Sequence, residues 1–150
     1  MAHTHTVLLY HVVFSTKARL PCLTPQAREL LFPYMSGIIA NHGGSALLIN
    51  GVADHVHILC QLRSQPDIAT IVQAIKGGAS SWYNREAKAS PVLHWQEGYG
   101  AFTVSPSQKE TVLHYIANQE AHHRRRTFAE EYEEMLVKSG VEFDKRFFLD

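Results

Sequence analysis

Residues 6–16 read Thr-Val-Leu-Leu-Tyr-His-Val-Val-Phe-Ser-Thr, a stretch dense in β-branched and aromatic side chains that predicts a strand ending before Pro21. The period then changes. Across residues 25–42 the apolar positions Leu30, Leu31, Tyr34, Ile38 and Ile39 recur at helical spacing, with Thr24 at the N-cap position, Pro25 in the first turn and Gly43-Gly44 as the stop. Residues 45–53 and 55–62 are two apolar, β-rich runs meeting at Asp54, which predicts a tight hairpin. Residues 67 to about 87 predict a second helix with Ile68, Ile71, Val72 and Ile75 inward. Gly77-Gly78 weakens its middle by about 1 kcal/mol per glycine and admits a close neighbour. Residues 100–104 predict a fourth strand. Ser105-Pro106-Ser107 opens a third helix, with Ser107 and Glu110 at capping-box spacing and Val112, Leu113, Ile116 and Ala117 on its apolar face. A last helix is predicted over residues 128–138.

The order strand, helix, strand, strand, helix, strand, followed by two helices, is an α+β pattern. Its first six elements are the split β-α-β repeat of a ferredoxin-like sandwich, with both helices on one face of an antiparallel sheet. The other face is then left for a partner subunit, a substrate or a lining of polar residues.

Composition narrows the class without naming it. The 150 residues are 45% hydrophobic and 19% charged, which fits one soluble domain spanning residues 1–150, expected in the cytoplasm. Cys22 and Cys60 are far apart and outside any C-x-x-C spacing, so they read as core thiols in a reducing compartment. No apolar run is long enough for a membrane span. Fourteen basic and fourteen acidic residues sum to zero, which taken whole argues against a basic nucleic-acid binder. The distribution says otherwise. Residues 1–126 hold 11 basic and 7 acidic side chains, whereas residues 127–150 hold 3 and 7, so a basic body carries an acidic tail that includes Glu130-Glu131-Tyr132-Glu133-Glu134. That run is not an expected DNA contact; it suits packing against basic residues or solubilising the last helix.

Chemistry is suggested first by Asp54-His55-Val56-His57-Ile58-Leu59. Strand alternation puts His55 and His57 on one face and Val56, Ile58, Cys60 and Leu62 on the other, making half of a metal site. Ten histidines in this length give about 0.7 His-x-His triplets by chance, so the pair reads equally as structural histidines until a third ligand is found. His3-Thr4-His5 is the other such triplet, in a terminus with no apolar partner strand. On the third helix Tyr115 and Gln119 are four apart and share a face, with His122 close to it; alone, that face reads as a solvated surface. Together the two features have a logic. A tyrosyl oxygen can attack a phosphodiester when a cation polarises the phosphoryl group. Two neutral imidazoles and a carboxamide oxygen leave a metal its full charge, which suits Mg²⁺ or Mn²⁺ better than a closed Zn²⁺ site. Asp54 then either orients a histidine or simply makes the turn.

These segments resemble the single-tyrosine HUH transposases, the insertion-sequence and REP-associated tyrosine transposases. His55-Val56-His57 is similar to their histidine-hydrophobic-histidine motif, and Tyr115-Ile116-Ala117-Asn118-Gln119 to the segment bearing their nucleophile and third metal ligand. Tyr10-His11-Val12-Val13-Phe14-Ser15-Thr16-Lys17 resembles their opening strand, and Trp95-Gln96-Glu97-Gly98-Tyr99-Gly100-Ala101-Phe102 the segment before the catalytic helix. The resemblance implies that Tyr115 cleaves single-stranded DNA through a 5′-phosphotyrosine, with His55, His57 and Gln119 holding the metal. It also implies a homodimer, often with the tyrosine helix of one subunit serving the histidine pair of the other, acting on hairpin-forming element ends or REP sequences.

Candidate phosphate contacts are Lys17, Arg19, Lys76, Arg85, Lys88 and the run Arg124, Arg125, Arg126; Trp82, Tyr83 and Trp95 are candidate base-stacking residues. Each also reads as ordinary surface charge or core aromatic. Leu59 stands where a histidine-triad hydrolase needs its third histidine, and residues 58–62 lack the Asp-His pair of a metallo-β-lactamase-like site. The competing readings are a domesticated hairpin-binding protein of the same fold and a purely structural dimeric module.

Overall fold

The computed structural model describes residues 2–150. Its elements are β1 (Leu8–Ser15), α1 (Pro25–Asn41), β2 (Ser45–Gly51), β3 (His55–Leu62), α2 (Ile68–Ala87), β4 (Gly100–Val104), α3 (Lys109–Ala117), α4 (Gln119–His123) and α5 (Phe128–Lys138). The strands form one sheet in the order β2-β3-β1-β4, antiparallel throughout, which is the predicted ferredoxin-like arrangement. Register sets Val13 opposite His57 and Ser15 opposite His55, so β1 and β3 present matching alternation.

One face is apolar. Val12 and Phe14 of β1 and Val56, Ile58, Cys60 and Leu62 of β3 pack against Leu31, Met35 and Ile39 of α1 and Ile71, Val72 and Ile75 of α2. Each such large side chain contributes about 1.5–3 kcal/mol through burial. The Thr24 side chain caps α1 by accepting from the Ala27 amide, and Gly43 at φ +82° turns the chain out of it. Gly78 provides the close approach, with Ile38 of α1 over the position a Cβ would take. Leu30 was expected on the inward face, but it lies on the solvent side of α1 at 50% exposure. Cys60 is buried and Cys22 half-buried, both free thiols.

The opposite face carries buried polar residues, one of the three expectations, and part of it is covered from within the chain. The chain's own α5 covers it, packing Phe128, Tyr132 and Leu136 against Val13. Gly100 makes this possible, since a Cβ there would meet the Tyr132 ring at 2.8 Å. Beyond α5 the chain folds back, with Phe143, Phe148 and Leu149 against the same cluster and the Arg19 guanidinium donating to the Leu149 carbonyl.

Three local expectations change. The hairpin is joined by residues 52–54 rather than by Asp54 alone. Ser107 does not cap α3; it lies in a 3-10 turn, Pro106–Gln108, where its hydroxyl bonds that of Ser105, and α3 begins at Lys109. Of that helix's apolar positions Ile116 is buried and Ala117 exposed, and the helix breaks at Asn118 before resuming as α4. No helix among the described residues is long and apolar enough to cross a membrane.

Candidate metal centre and nucleophile

The α5 face of the sheet contains a buried polar cluster. His55 and His57 project into it from β3, fully buried, and β1 adds His11 from the neighbouring strand. Asn50 of β2 donates to the carbonyl of Ile116, pinning the end of α3 over the sheet. Gln119, also fully buried, then lies above the histidines: its Oε1 is 3.2 Å from His55 Nε2 and 3.0 Å from His123 Nε2, while its Nε2 donates to the Tyr115 carbonyl. From the other side α5 inserts Glu131, fully buried, with Oε1 at 2.9 Å from His57 Nε2, 3.1 Å from His123 Nε2 and 3.5 Å from His55 Nε2. Its second oxygen accepts a hydrogen bond from the Tyr115 hydroxyl.

The imidazoles are oriented from behind. Asp54 Oδ1 accepts from His55 Nδ1 at 2.7 Å, the Arg126 carbonyl accepts from His123 Nδ1 at 3.0 Å, and His11 Nε2 bonds His57 Nδ1 at 2.7 Å. A neutral ring that gives away its Nδ1 proton carries a lone pair on Nε2. The Nε2 atoms of His55 and His123 face the oxygens of Gln119 and Glu131. Imidazole nitrogens and oxygens converging in a buried space are the donor types of a cation site. Burial lowers the His57 pKa, and burial followed by the proximity of His57 takes His11 down to about 3, so both rings are neutral at pH 7. Burial alone would raise the Glu131 carboxyl, but hydrogen bonds from His123, His57 and Tyr115 prevail and hold it well below the usual carboxylate range. Burial, then the bond to Glu131, push the Tyr115 phenol above its ordinary value.

The sequence of residues 4–119 matches the family described as Transposase IS200 like. The chain belongs to this family. ISDra2 transposase TnpA of Deinococcus radiodurans is 28% identical over 120 residues, covering 75% of this chain and 84% of that protein. Two solved structures share the fold. One is a Deinococcus radiodurans crystal structure at 1.90 Å, assigned as a transposase, with 24% identity and a TM-score of 0.63 over 79% of this chain and 95% of that one. The other is a REP-associated tyrosine transposase bound to a REP hairpin, with 12% identity and a TM-score of 0.60 over 82% of this chain and 74% of that one.

In this IS200-like transposase the four residues singled out as nucleophile and ligands, Tyr115, His55, His57 and Gln119, come together within one chain. The tyrosine helix and the histidine strand belong to the same molecule. Glu131, His123 and His11 were not anticipated. Glu131 was hidden in an acidic run, although Phe128, Glu131, Tyr132 and Leu136 follow helical spacing and place it on the apolar face of α5. His123 is four residues beyond Gln119, and His11 alternates with Val13 on the inner face of β1.

The predicted phosphate contacts do not form one surface. Arg124, Arg125 and Arg126 line a groove of about 710 Å³ with His123, Asp54 and Arg28, the last an unpredicted residue from α1. Arg126 and Lys138 also border a cavity of about 260 Å³ that reaches Tyr115 and His11. Lys17 and Arg19 line a separate groove with Trp95 and Glu97, and Arg85 pairs with Glu86 at the exposed end of α2, beside exposed Lys88. Lys76 is a correction: it is buried, and its ammonium donates to the carbonyls of Gln96, Glu97 and Gly98, a structural role that occupies its three protons. Trp95 is core, edge-on to Phe14 with its indole N–H bonded to the Lys76 carbonyl, and Trp82 stacks on Tyr34 at 4.3 Å, beside half-buried Tyr83.

Proposed function

We propose that this transposase cleaves and rejoins single-stranded DNA by attack of the Tyr115 oxygen on a scissile phosphate, in a centre where His55, His57 and Gln119 hold Mg²⁺ or Mn²⁺. The observation that carries this reading is the position of the Tyr115 hydroxyl, one hydrogen bond from a carboxylate that itself contacts both histidines of the pair.

A bound divalent ion supplies positive charge to the phosphoryl oxygens and eases ionisation of the attacking oxygen. The chain's residues do the rest. Asp54 and His11 fix the His55 and His57 rings, His122 stacks against the Tyr115 ring at 4.8 Å, and Arg126 and Lys138 border the cavity through which a phosphate reaches the hydroxyl. In the step, the Tyr115 O–P bond forms and the P–O3′ bond breaks. The phenolic proton leaves through Glu131 Oε2, its hydrogen-bond acceptor, to solvent, and the departing 3′ oxygen takes a proton from solvent to become a free hydroxyl, leaving a 5′-phosphotyrosine. Reversal against another 3′-hydroxyl rejoins DNA without ATP, because the phosphodiester is exchanged rather than hydrolysed.

Arg28, Arg124 and Arg125 in the 710 Å³ groove are placed to carry the strand's phosphates. The substrate is a hairpin-forming end or REP-like sequence, as the hairpin bound by the REP-associated relative suggests. A homodimer brings two tyrosines to two DNA ends, each with a centre of its own.

The test is to incubate the protein and Mg²⁺ or Mn²⁺ with labelled single-stranded hairpin DNA from its own genomic flanks, then run a denaturing gel. A covalent adduct in the wild type and none in Tyr115→Phe supports the reading. An adduct persisting in Tyr115→Phe contradicts the assignment of the nucleophile, and binding with no adduct under either metal supports a domesticated hairpin binder.

A further inference from the structure

We infer that Glu131 and His123 are themselves metal ligands, so that the ion is held by three imidazoles, the Gln119 carboxamide and a carboxylate delivered by α5. The inference rests on the metal-dependent reading above and extends its ligand set beyond the sequence motifs. One ligand atom each from His55, His57, His123 and Glu131 lies within 4.8 Å of the others, close enough to share one ion.

The hydrogen bonds made behind the rings turn the donor atoms towards one another. His55 Nδ1 is bonded to Asp54 and His123 Nδ1 to the Arg126 carbonyl, which leaves the Nε2 atom of each ring facing inward. The Gln119 amide is oriented by its donation to the Tyr115 carbonyl, so its oxygen also points inward. Glu131 adds an ionised oxygen at full burial, and among the described residues its only ion partners are these imidazoles, with no lysine or arginine opposite it. A buried carboxylate ringed by imidazole nitrogens and a carboxamide oxygen is stabilised by a cation in their midst.

Two consequences follow from the donor types. Three nitrogens and two oxygens suit Mn²⁺ or another first-row transition ion better than Mg²⁺, which prefers oxygen donors and retained water. The five protein donors would hold the ion beside Tyr115, where it would supply positive charge to a phosphoryl oxygen. Because Glu131 Oε2 also accepts from the Tyr115 hydroxyl, one carboxylate of α5 joins the nucleophile to the metal centre. Docking of α5 and loading of the metal are therefore one coupled event.

Isothermal titration calorimetry of the full chain with Mn²⁺ and with Mg²⁺ tests this, using wild type, Glu131→Gln, His123→Ala and His57→Ala. Hydrogen exchange of the α5 amides is followed in parallel. The expected result is one Mn²⁺ per chain, bound more tightly than Mg²⁺, with an affinity loss of about tenfold or more in both Glu131→Gln and His123→Ala. Metal should slow exchange across Phe128–Lys138 in the wild type and not in Glu131→Gln. Glu131→Gln keeps the side-chain volume, and circular dichroism checks that it is folded. Should Glu131→Gln and His123→Ala bind Mn²⁺ as tightly as wild type while His57→Ala does not, the inference falls and the metal reading of the motif residues stands. Wild-type affinity in His57→Ala as well would overturn that reading itself.

Discussion

The two faces of the sheet are equally well buried and chemically opposite. Towards α1 and α2 the strands present Val12, Phe14, Val56, Ile58 and Cys60, and burial there leaves nothing unsatisfied. Burial pushes the Cys60 thiol up to about 12, so it is an inert apolar filler rather than a nucleophile. Towards α3, α4 and α5 the same two strands present His11, Ser15, His55 and His57. Every buried polar side-chain atom among the described residues has a partner, and several of these partnerships join the imidazoles to Gln119 and Glu131. The first face is an apolar core, and the second holds the proposed cation site. Its cost in stability is the price of function.

The contrast is broken most severely on the apolar face. Phe14→Ala should lose about 3–5 kcal/mol of unfolding free energy, by urea denaturation, and added Mn²⁺ should not restore it relative to wild type. On the polar face the dependence reverses. Wild-type protein should gain about 2.7 kcal/mol when Mn²⁺ is present at a hundred times its dissociation constant, and chelation should remove that gain. His57→Ala should show almost none of it.

How much of this was legible in the sequence differs between the faces in the same way. Core positions follow from period alone: β3 alternation and the spacing of Ile71, Val72 and Ile75 place those side chains correctly, because burial is decided by local pattern. Leu30 fails because it lies outside the stripe of Ala27, Leu31, Met35 and Ile39 that α1 buries. The histidine pair and the Tyr115–Gln119 spacing were equally readable, even though the helix breaks at Asn118 between them. Glu131 was not. Four glutamates in five positions look alike as a charge run, and which of them is buried depends on where α5 docks across more than seventy residues of chain from His57. The acidic segment therefore has separate roles: Glu131 enters the centre, Glu130 forms a capping box with Thr127, Glu133 pairs with Lys145, and Glu134 pairs with Arg126 and Lys138.

Acid sharpens the comparison by a smaller amount. Burial lowers the His11 pKa from 6.5 to about 3, so above pH 6.5 neither folded nor unfolded chain protonates it. As pH falls below 6.5 the unfolded chain binds a proton that the folded chain excludes, and stability is lost progressively towards pH 3. In metal-free buffer, wild type should thus lose roughly 1–2 kcal/mol more than His11→Asn between pH 7 and pH 5. A pH-independent gap between the two, in urea melts, would show that His11 is not held neutral by burial.

The smallest effects belong to the groove. Arg124→Ala and Arg125→Ala should each weaken binding of single-stranded DNA similarly across sequences and reduce the slope of log affinity against log salt by about 1, measured by fluorescence anisotropy. Neither should alter metal affinity or the stability of either face. Lys76→Ala, by contrast, should destabilise the fold and leave that salt slope unchanged, since its ammonium is occupied by backbone carbonyls.

The central proposal is that Tyr115 serves the histidine pair of its own chain. Mixing Tyr115→Phe with His57→Ala on hairpin DNA and Mn²⁺ tests it most directly, beside wild type as the positive control. The account predicts an adduct with wild type and none with the mixture, because each variant lacks half of its own centre. An adduct from the mixture would mean that the tyrosine of one chain serves the histidines of another, and would contradict it.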